Sequence, residues 1–330
     1  MTTALRTTTV GSFAKPDYLQ RARNRHAAGK LAAEELDRLT RQATKEVIDL
    51  QLALGLDVLV HGEMERGDMV GYFGENVAGM RPGELVRSYG NRFYHKPVIE
   101  DAVRWDGPIT LNLWKYSQGL TRKPVKGMLT GPYTIVEWSF DEHYGSRHDA
   151  VVAMARVIHE EAAALANAGA KFIQIDEPAI HTRPDADFDL AVEAMETVVR
   201  GVDAEFHTHI CYGDVQRIYP GMLRLPVKQI HLAFKNTNYE LLKLLEGEPF
   251  DAEKELGLGV LDVHTHTIET VKEIEEGIEK ALRLLPPERV WVEPDCGLKT
   301  RTPEEVREKL RVMVAGRDAV RARMNRLSGE

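Results

Sequence analysis

Cysteine is nearly absent, with two in 330 residues, Cys211 and Cys296. That scarcity excludes a disulfide scaffold. A chain able to bury a large core has little use for a single bridge, so metal binding or plain burial is left for the two thiols. Positive charge is also short. Forty-three basic residues stand against 51 acidic ones, and the net charge of −8 excludes the electrostatic footprint of a nucleic-acid binder. No stretch approaches the roughly 18 apolar residues of a membrane span. The opening MTTALRTTTVGSF lacks the apolar core of a secretory signal. The cytoplasm is therefore the expected location, and no linker, repeat or low-complexity tract divides the chain. What is present, 43% apolar and 28% charged residues, suits a globular protein built as one large barrel or two domains.

Short apolar runs alternate with amphipathic stretches. Eight runs read as strands: TTTVGS (7–12), DVLVHGE (57–63), VKGMLTGP (125–132), KFIQIDEP (171–178), AEFHTHIC (204–211), KQIHLAF (228–234), LGLGVLDVH (256–264) and RVWVEPDC (289–296). Between them lie helical patterns over 34–55, 147–169 and 267–285, with apolar residues three and four apart. Eight strand-helix units predict an α/β fold, a single (β/α)8 TIM barrel spanning 1–330. Residues 14–33 are read as an N-terminal helical extension. Residues 76–124 are read as a hairpin-bearing insertion after strand two.

A barrel of this kind collects its chemistry at the C-terminal ends of its strands. Those ends supply Ser12, then His61 and Glu63, Asp176 and Glu177, His209 and Cys211, His264, and finally Asp295 and Cys296. In HTHICYGD (207–214), His207, His209 and Cys211 alternate along an extended chain and so leave one face. Imidazole with thiolate suits zinc, but a His-x-Cys pair alone is too few ligands and recurs by chance. Loops over the barrel mouth can bring Cys296 to the pair. His209, Cys211 and Cys296 are therefore a candidate metal site, and His207 a candidate for orienting a ligand. The alternate histidines at 264 and 266 read as hydrogen-bonded loop residues, and the charge runs 272–280 and 316–327 as solvated helix faces.

The segments TTTVGSF, DVLVHGEMERGDMVGYFGE, MLTGPYTIVEWSF, IQIDEPA, HICYGD, GLGVLDVHTHTIE and WVEPDCGLKTR together resemble the catalytic C-terminal half of cobalamin-independent methionine synthase. The resemblance runs from about residue 6 to 302 and looks like the short, single-barrel form that lacks the N-terminal half. It implies zinc held by His209, Cys211 and Cys296, and homocysteine held by Val10, Gly11, Ser12, Glu63 and Asp176. It also implies that Arg92 and Trp138 line the methyl-donor pocket and that His264 handles a proton. The chemistry of the residues agrees. Zinc converts a thiol that is mostly protonated at neutral pH into a thiolate. Glu63 or Asp176 answers the substrate ammonium, and amides around Gly11 and Ser12 answer its carboxylate. Trp138 offers a flat apolar face to a pterin, and His264 can protonate the leaving amine.

Two positions depart from the family pattern. Ala233 stands where the resemblance puts a fourth, glutamate ligand. That leaves a three-ligand site with an open place, a substitute such as His231, or a protein without zinc. Thr182 stands where an acid contacts the donor, so methyl-folate held with help from a partner protein and a methyl-corrinoid presented by one are both open as donors. Another thiol acceptor such as coenzyme M, and a non-catalytic binding or regulatory role, are the alternatives to methionine formation.

Overall fold

A computed structural model describes residues 4–87, 93–211, 213–248 and 250–328 of the chain. They form an α/β fold with parallel sheet, divided into two compact units.

The first unit comprises Met1–Glu65, Tyr116–Lys126 and Gln229–Glu330. Its strands Gln229–Leu232, Glu255–Leu261 and Val290–Pro294 run parallel and adjacent in that order, and every one of their residues is buried. Burial on both faces is the usual state of a parallel sheet, and it explains why these segments read as unbroken apolar runs. Around them lie helices Asp17–Ala27, Ala33–Leu54, Val271–Leu282 and Pro303–Ser328. Helix Ala33–Leu54 stops at Gly55, whose φ of 83° is left-handed and lets its N–H reach the carbonyls of Gln51 and Leu52.

The first two expected strands are much shorter than their sequence runs. Each is reduced to an isolated parallel bridge, Thr7 with Val292 and Leu59 with Val125. The cause lies in two side chains that take over ladder positions. Gln51 accepts from Val60 N–H and donates to Val60 C=O, at 3.0 and 2.8 Å. Asp57 accepts from both the amide and the hydroxyl of Thr7, at 2.9 and 3.1 Å. Backbone bonds nevertheless lead across these segments: Val292 N–H to Arg6 C=O, Val58 N–H to Thr7 C=O, Leu59 N–H to Pro124 C=O and Lys126 N–H to Leu59 C=O.

The second unit comprises Arg66–Lys115 and Gly127–Lys228. Its parallel strands Gly127–Thr130, Phe172–Asp176 and Glu205–Ile210 are adjacent in that order. Helices Pro132–Glu137, Arg147–Asn167 and Pro184–Val199 follow them in the chain. Antiparallel strands Ala78–Arg81 and Val98–Arg104, with the short pair Leu85–Arg87 and Phe93–His95, occupy part of the 76–124 segment. Among the described residues no helix is long and apolar enough to cross a membrane.

Candidate active site and metal centre

Strand Glu205–Ile210 buries both its histidines. His207 is fully enclosed, with Nε2 at 3.0 Å from Glu205 Oε1, and His209 is 3% exposed. Cys211 follows the last strand residue, and Cys296 lies just beyond strand Val290–Pro294. Both are partly exposed. One ligand atom from each of His209, Cys211 and Cys296 lies within 4.8 Å of the other two. Two thiolates on a tetrahedral zinc, at about 2.3 Å each, are about 3.8 Å apart, so the three groups need close in only slightly to share an ion. Soft sulfur with imidazole is a donor set zinc accepts. Among the described residues no further His, Cys, Asp or Glu joins the group. His231 lies outside it, fully buried in its own strand, where a Cβ at Gly257 would stand 2.7 Å from the His231 Cβ. Ala233 is buried and brings only a methyl group.

The loop after Cys296 is stapled to the first expected strand. Leu298 N–H donates to Ser12 C=O at 2.7 Å, and Gly297 lies so close to Ser12 that a Cβ there would come within 2.1 Å of the hydroxyl oxygen. Phe13 N–H in turn donates to Gly62 C=O at 3.0 Å. Val10 is buried, and Gly11 has a φ of 152°. Glu63 is the unusual member, because its φ of 56° is left-handed, a state costing a non-glycine residue of the order of 1–3 kcal/mol. The turn is held by its neighbours: Glu63 N–H donates to Nδ1 of buried His61 at 3.1 Å, and Glu63 C=O accepts from Lys15 Nζ at 3.2 Å. His61 thus braces Glu63.

In the second unit Asp176 pairs in register with His209, and Glu177 N–H donates to His209 C=O at 3.0 Å. Asp176 is 8% exposed and accepts from Gln174 Nε2 at 2.7 Å. Glu177 beside it is fully buried and receives Tyr133 N–H, Thr134 N–H and the Thr134 hydroxyl, at 3.1, 2.8 and 2.6 Å. Burial pushes its carboxyl up to about 7 against the pull of those donors. A Cβ at Gly131 would come 2.0 Å from the Glu177 carboxyl carbon, so the approach requires glycine. Glu177 therefore fixes the start of helix Pro132–Glu137, and with it Trp138 at the helix end, partly buried.

His264 is exposed on the turn after strand Glu255–Leu261, with its N–H donating to Asp262 Oδ1 at 2.8 Å. His266 Nδ1 lies 2.6 Å from Glu305 Oε1, the local partner expected of a loop histidine. Thr182 turns its hydroxyl back to Ala179 C=O at 2.7 Å. Arg92 lies outside the described residues.

The family model for the catalytic domain of cobalamin-independent synthase matches residues 5–318. The chain belongs to this family. It is 39% identical to a methionine synthase of Saccharolobus solfataricus, over 98% of this chain and 96% of that one. It is 37% identical to the methionine synthase of Sulfolobus acidocaldarius, over 98% and 94%. Among solved structures it resembles a B12-independent methionine synthase from Shewanella in complex with selenomethionine, at 27% identity and a TM-score of 0.86, covering 97% and 99% of the two chains. A methyltransferase from Methanosarcina mazei shares the fold, with a TM-score of 0.68 at 16% identity over 97% and 95%. As a member of the cobalamin-independent methionine synthase family, the chain is a methyltransferase.

Two lysines that bond beside the expected site residues are missing from the strand-end reading of this family member's sequence. Lys15 meets the Glu63 turn, and Lys309, buried in the last helix, donates to Asp262 C=O, Thr267 C=O and Glu269 at 2.9, 2.5 and 2.9 Å. The GSFAKP segment carries a hint of the first, a lysine just beyond the expected substrate residues. Lys309 lies within an ordinary amphipathic helix and gives no local signal.

Proposed function

We propose that this methyltransferase moves a methyl group to the thiol of homocysteine, forming methionine, within one (β/α)8 barrel domain spanning 1–330. In this reading 14–33 is a helical extension and 76–124 an insertion after the second strand. The observation that carries it is the His209, Cys211 and Cys296 group beside residues suited to an amino acid: Cys296 is linked through Leu298 to Ser12, and His209 is paired with Asp176.

His209, Cys211 and Cys296 would hold zinc, which supplies the means for a thiol to lose its proton at neutral pH. Glu63 and Asp176 take the substrate ammonium. Val10, Gly11 and Ser12 present backbone to its carboxylate. With the thiol proton gone, a sulfur lone pair forms the bond to the methyl carbon as the bond from methyl to the donor breaks. When that donor is methyl-folate, the departing nitrogen takes a proton, for which His264 is the relay. Trp138 and Arg92 are the residues that the family resemblance assigns to the donor. The selenomethionine on the Shewanella relative, an analogue of the product, supports an amino-acid thioether pocket. A chain with two cysteines in 330 residues suits a cytoplasmic setting.

The test supplies zinc-reconstituted protein with homocysteine and either methyl-folate or a methyl-corrinoid, with and without cell extract, and measures methionine. Methionine from one donor identifies it, and a requirement for extract identifies a presenting partner. Methionine from neither, with coenzyme M methylated instead, overturns the homocysteine assignment.

A further inference from the structure

Lys15 lies three residues beyond Ser12, in the loop that leads into helix Asp17–Ala27. It is partly buried, and its Nζ donates to the carbonyl of Glu63 at 3.2 Å. An ammonium has three protons to donate, so that single bond leaves two. Its charged surroundings are Arg23, Lys299, Glu63 and Glu65. Arg23 donates to the Glu65 carbonyl at 2.6 Å, and Lys299 belongs to the loop that is stapled to Ser12. Three cations thus gather around two carboxylates, and in the proposed function one of these, Glu63, is engaged by the ammonium of the substrate. The balance then left at the site is positive.

An α-amino acid carries its ammonium and its carboxylate on one carbon, so whatever binds the two must itself be paired at short range. The structure supplies such a pair, a cation fastened to the backbone of the residue whose side chain takes the ammonium. We infer that Lys15 is a substrate-binding residue that receives the α-carboxylate of the amino acid, making the site selective for a zwitterion over a simple amine. The inference rests on the reading of Glu63 as the ammonium partner. Burial, and then the Arg23 guanidinium, lower the Lys15 ammonium to about 8 against the opposing pull of Glu63 and Glu65. A cation strained in this way gains from an incoming anion.

Calorimetric titration with methionine and with 3-(methylthio)propylamine, which is methionine without its carboxylate, separates this role from a structural one. The parent protein should prefer methionine by roughly 10- to 100-fold, as a charge-assisted contact implies. In Lys15→Met the preference should fall several-fold, through weaker methionine binding with little change for the amine, the backbone of Val10, Gly11 and Ser12 keeping the remainder, and Lys15→Arg should restore part of it. If Lys15→Met weakens both ligands equally, Lys15 only props the Glu63 turn and the inference is overturned. An unchanged preference overturns it as well. Failure of the parent to bind methionine at all overturns the amino-acid pocket itself, a result that no variant is needed to recognise.

Discussion

The ammonium of Lys309 and the carboxylate of Glu269 meet at 2.9 Å with both residues buried, and between them they peg the turn that carries His264. Lys309 holds the carbonyls of Asp262 and Thr267, while the second oxygen of Glu269 accepts Asp262 N–H at 2.8 Å. Removing one member leaves the other charge buried and unmatched, at a cost of about 3–5 kcal/mol. Lys309→Met should therefore lower unfolding stability by about that much and, in the protein that still folds, reduce kcat more than it changes KM. Adding Glu269→Leu should recover stability without recovering kcat. Denaturant titration beside steady-state kinetics checks both parts, and an unchanged kcat in the folded variant would show that the turn takes no part in the chemistry.

Replacing either thiol tests the metal centre. Cys211→Ser and Cys296→Ser should each lose zinc and methyl transfer together, while the far-ultraviolet dichroism stays that of the parent. A core of this size, with its parallel strands fully buried, does not depend on the metal for folding as a zinc finger does. Metal analysis of the purified variants gives the answer, and full zinc with full turnover would remove the residue from the ligand set.

Position 233 tests the open place. Ala233→Glu offers a carboxylate directly after strand Gln229–Leu232. Zinc affinity, measured by competition with a chelator, should rise, and turnover should slow as the labile position closes. Unchanged affinity would show that residue 233 faces elsewhere.

Glu177 should leave a mark on the pH dependence of stability. Its carboxyl is raised from 4.5 to about 7 in the folded protein, chiefly by burial. Between those values the folded state holds a proton that the unfolded chain has released, so this group's contribution to stability falls as pH rises from 4.5 through 7 and is level above. Glu177→Gln should abolish that part of the slope. It should also cost about 1–3 kcal/mol, because the amide cannot accept all of the donors the carboxylate meets. Parallel unfolding curves for parent and variant across the range would contradict the assignment.

What the sequence made legible follows from how local each signal is. The alternation in HTHIC marks His209 near the end of a strand with Cys211 two positions on, at its exit, and the unbroken apolar runs mark the buried strands. The shortening of the first two strands was hidden, since it depends on the side chains of Gln51 and Asp57 finding backbone partners at Val60 and Thr7. Glu177 looked like site chemistry because it ends a strand beside Asp176. Its three donors lie on a helix more than forty positions earlier, and only the fold shows that it holds that helix in place. Lys15 and Lys309 were hidden for a related reason, as their partners include main-chain carbonyls, which no residue pattern reveals.

The most direct test of the account is X-ray absorption at the zinc edge, on protein loaded with one equivalent of zinc, before and after homocysteine is added. His209, Cys211 and Cys296 predict two sulfur neighbours at about 2.3 Å with nitrogen or oxygen at about 2.0–2.1 Å, becoming three sulfurs when the substrate thiolate takes the open place. Two sulfurs in both states would contradict a role for the metal in activating homocysteine, and none in either would contradict the metal centre itself.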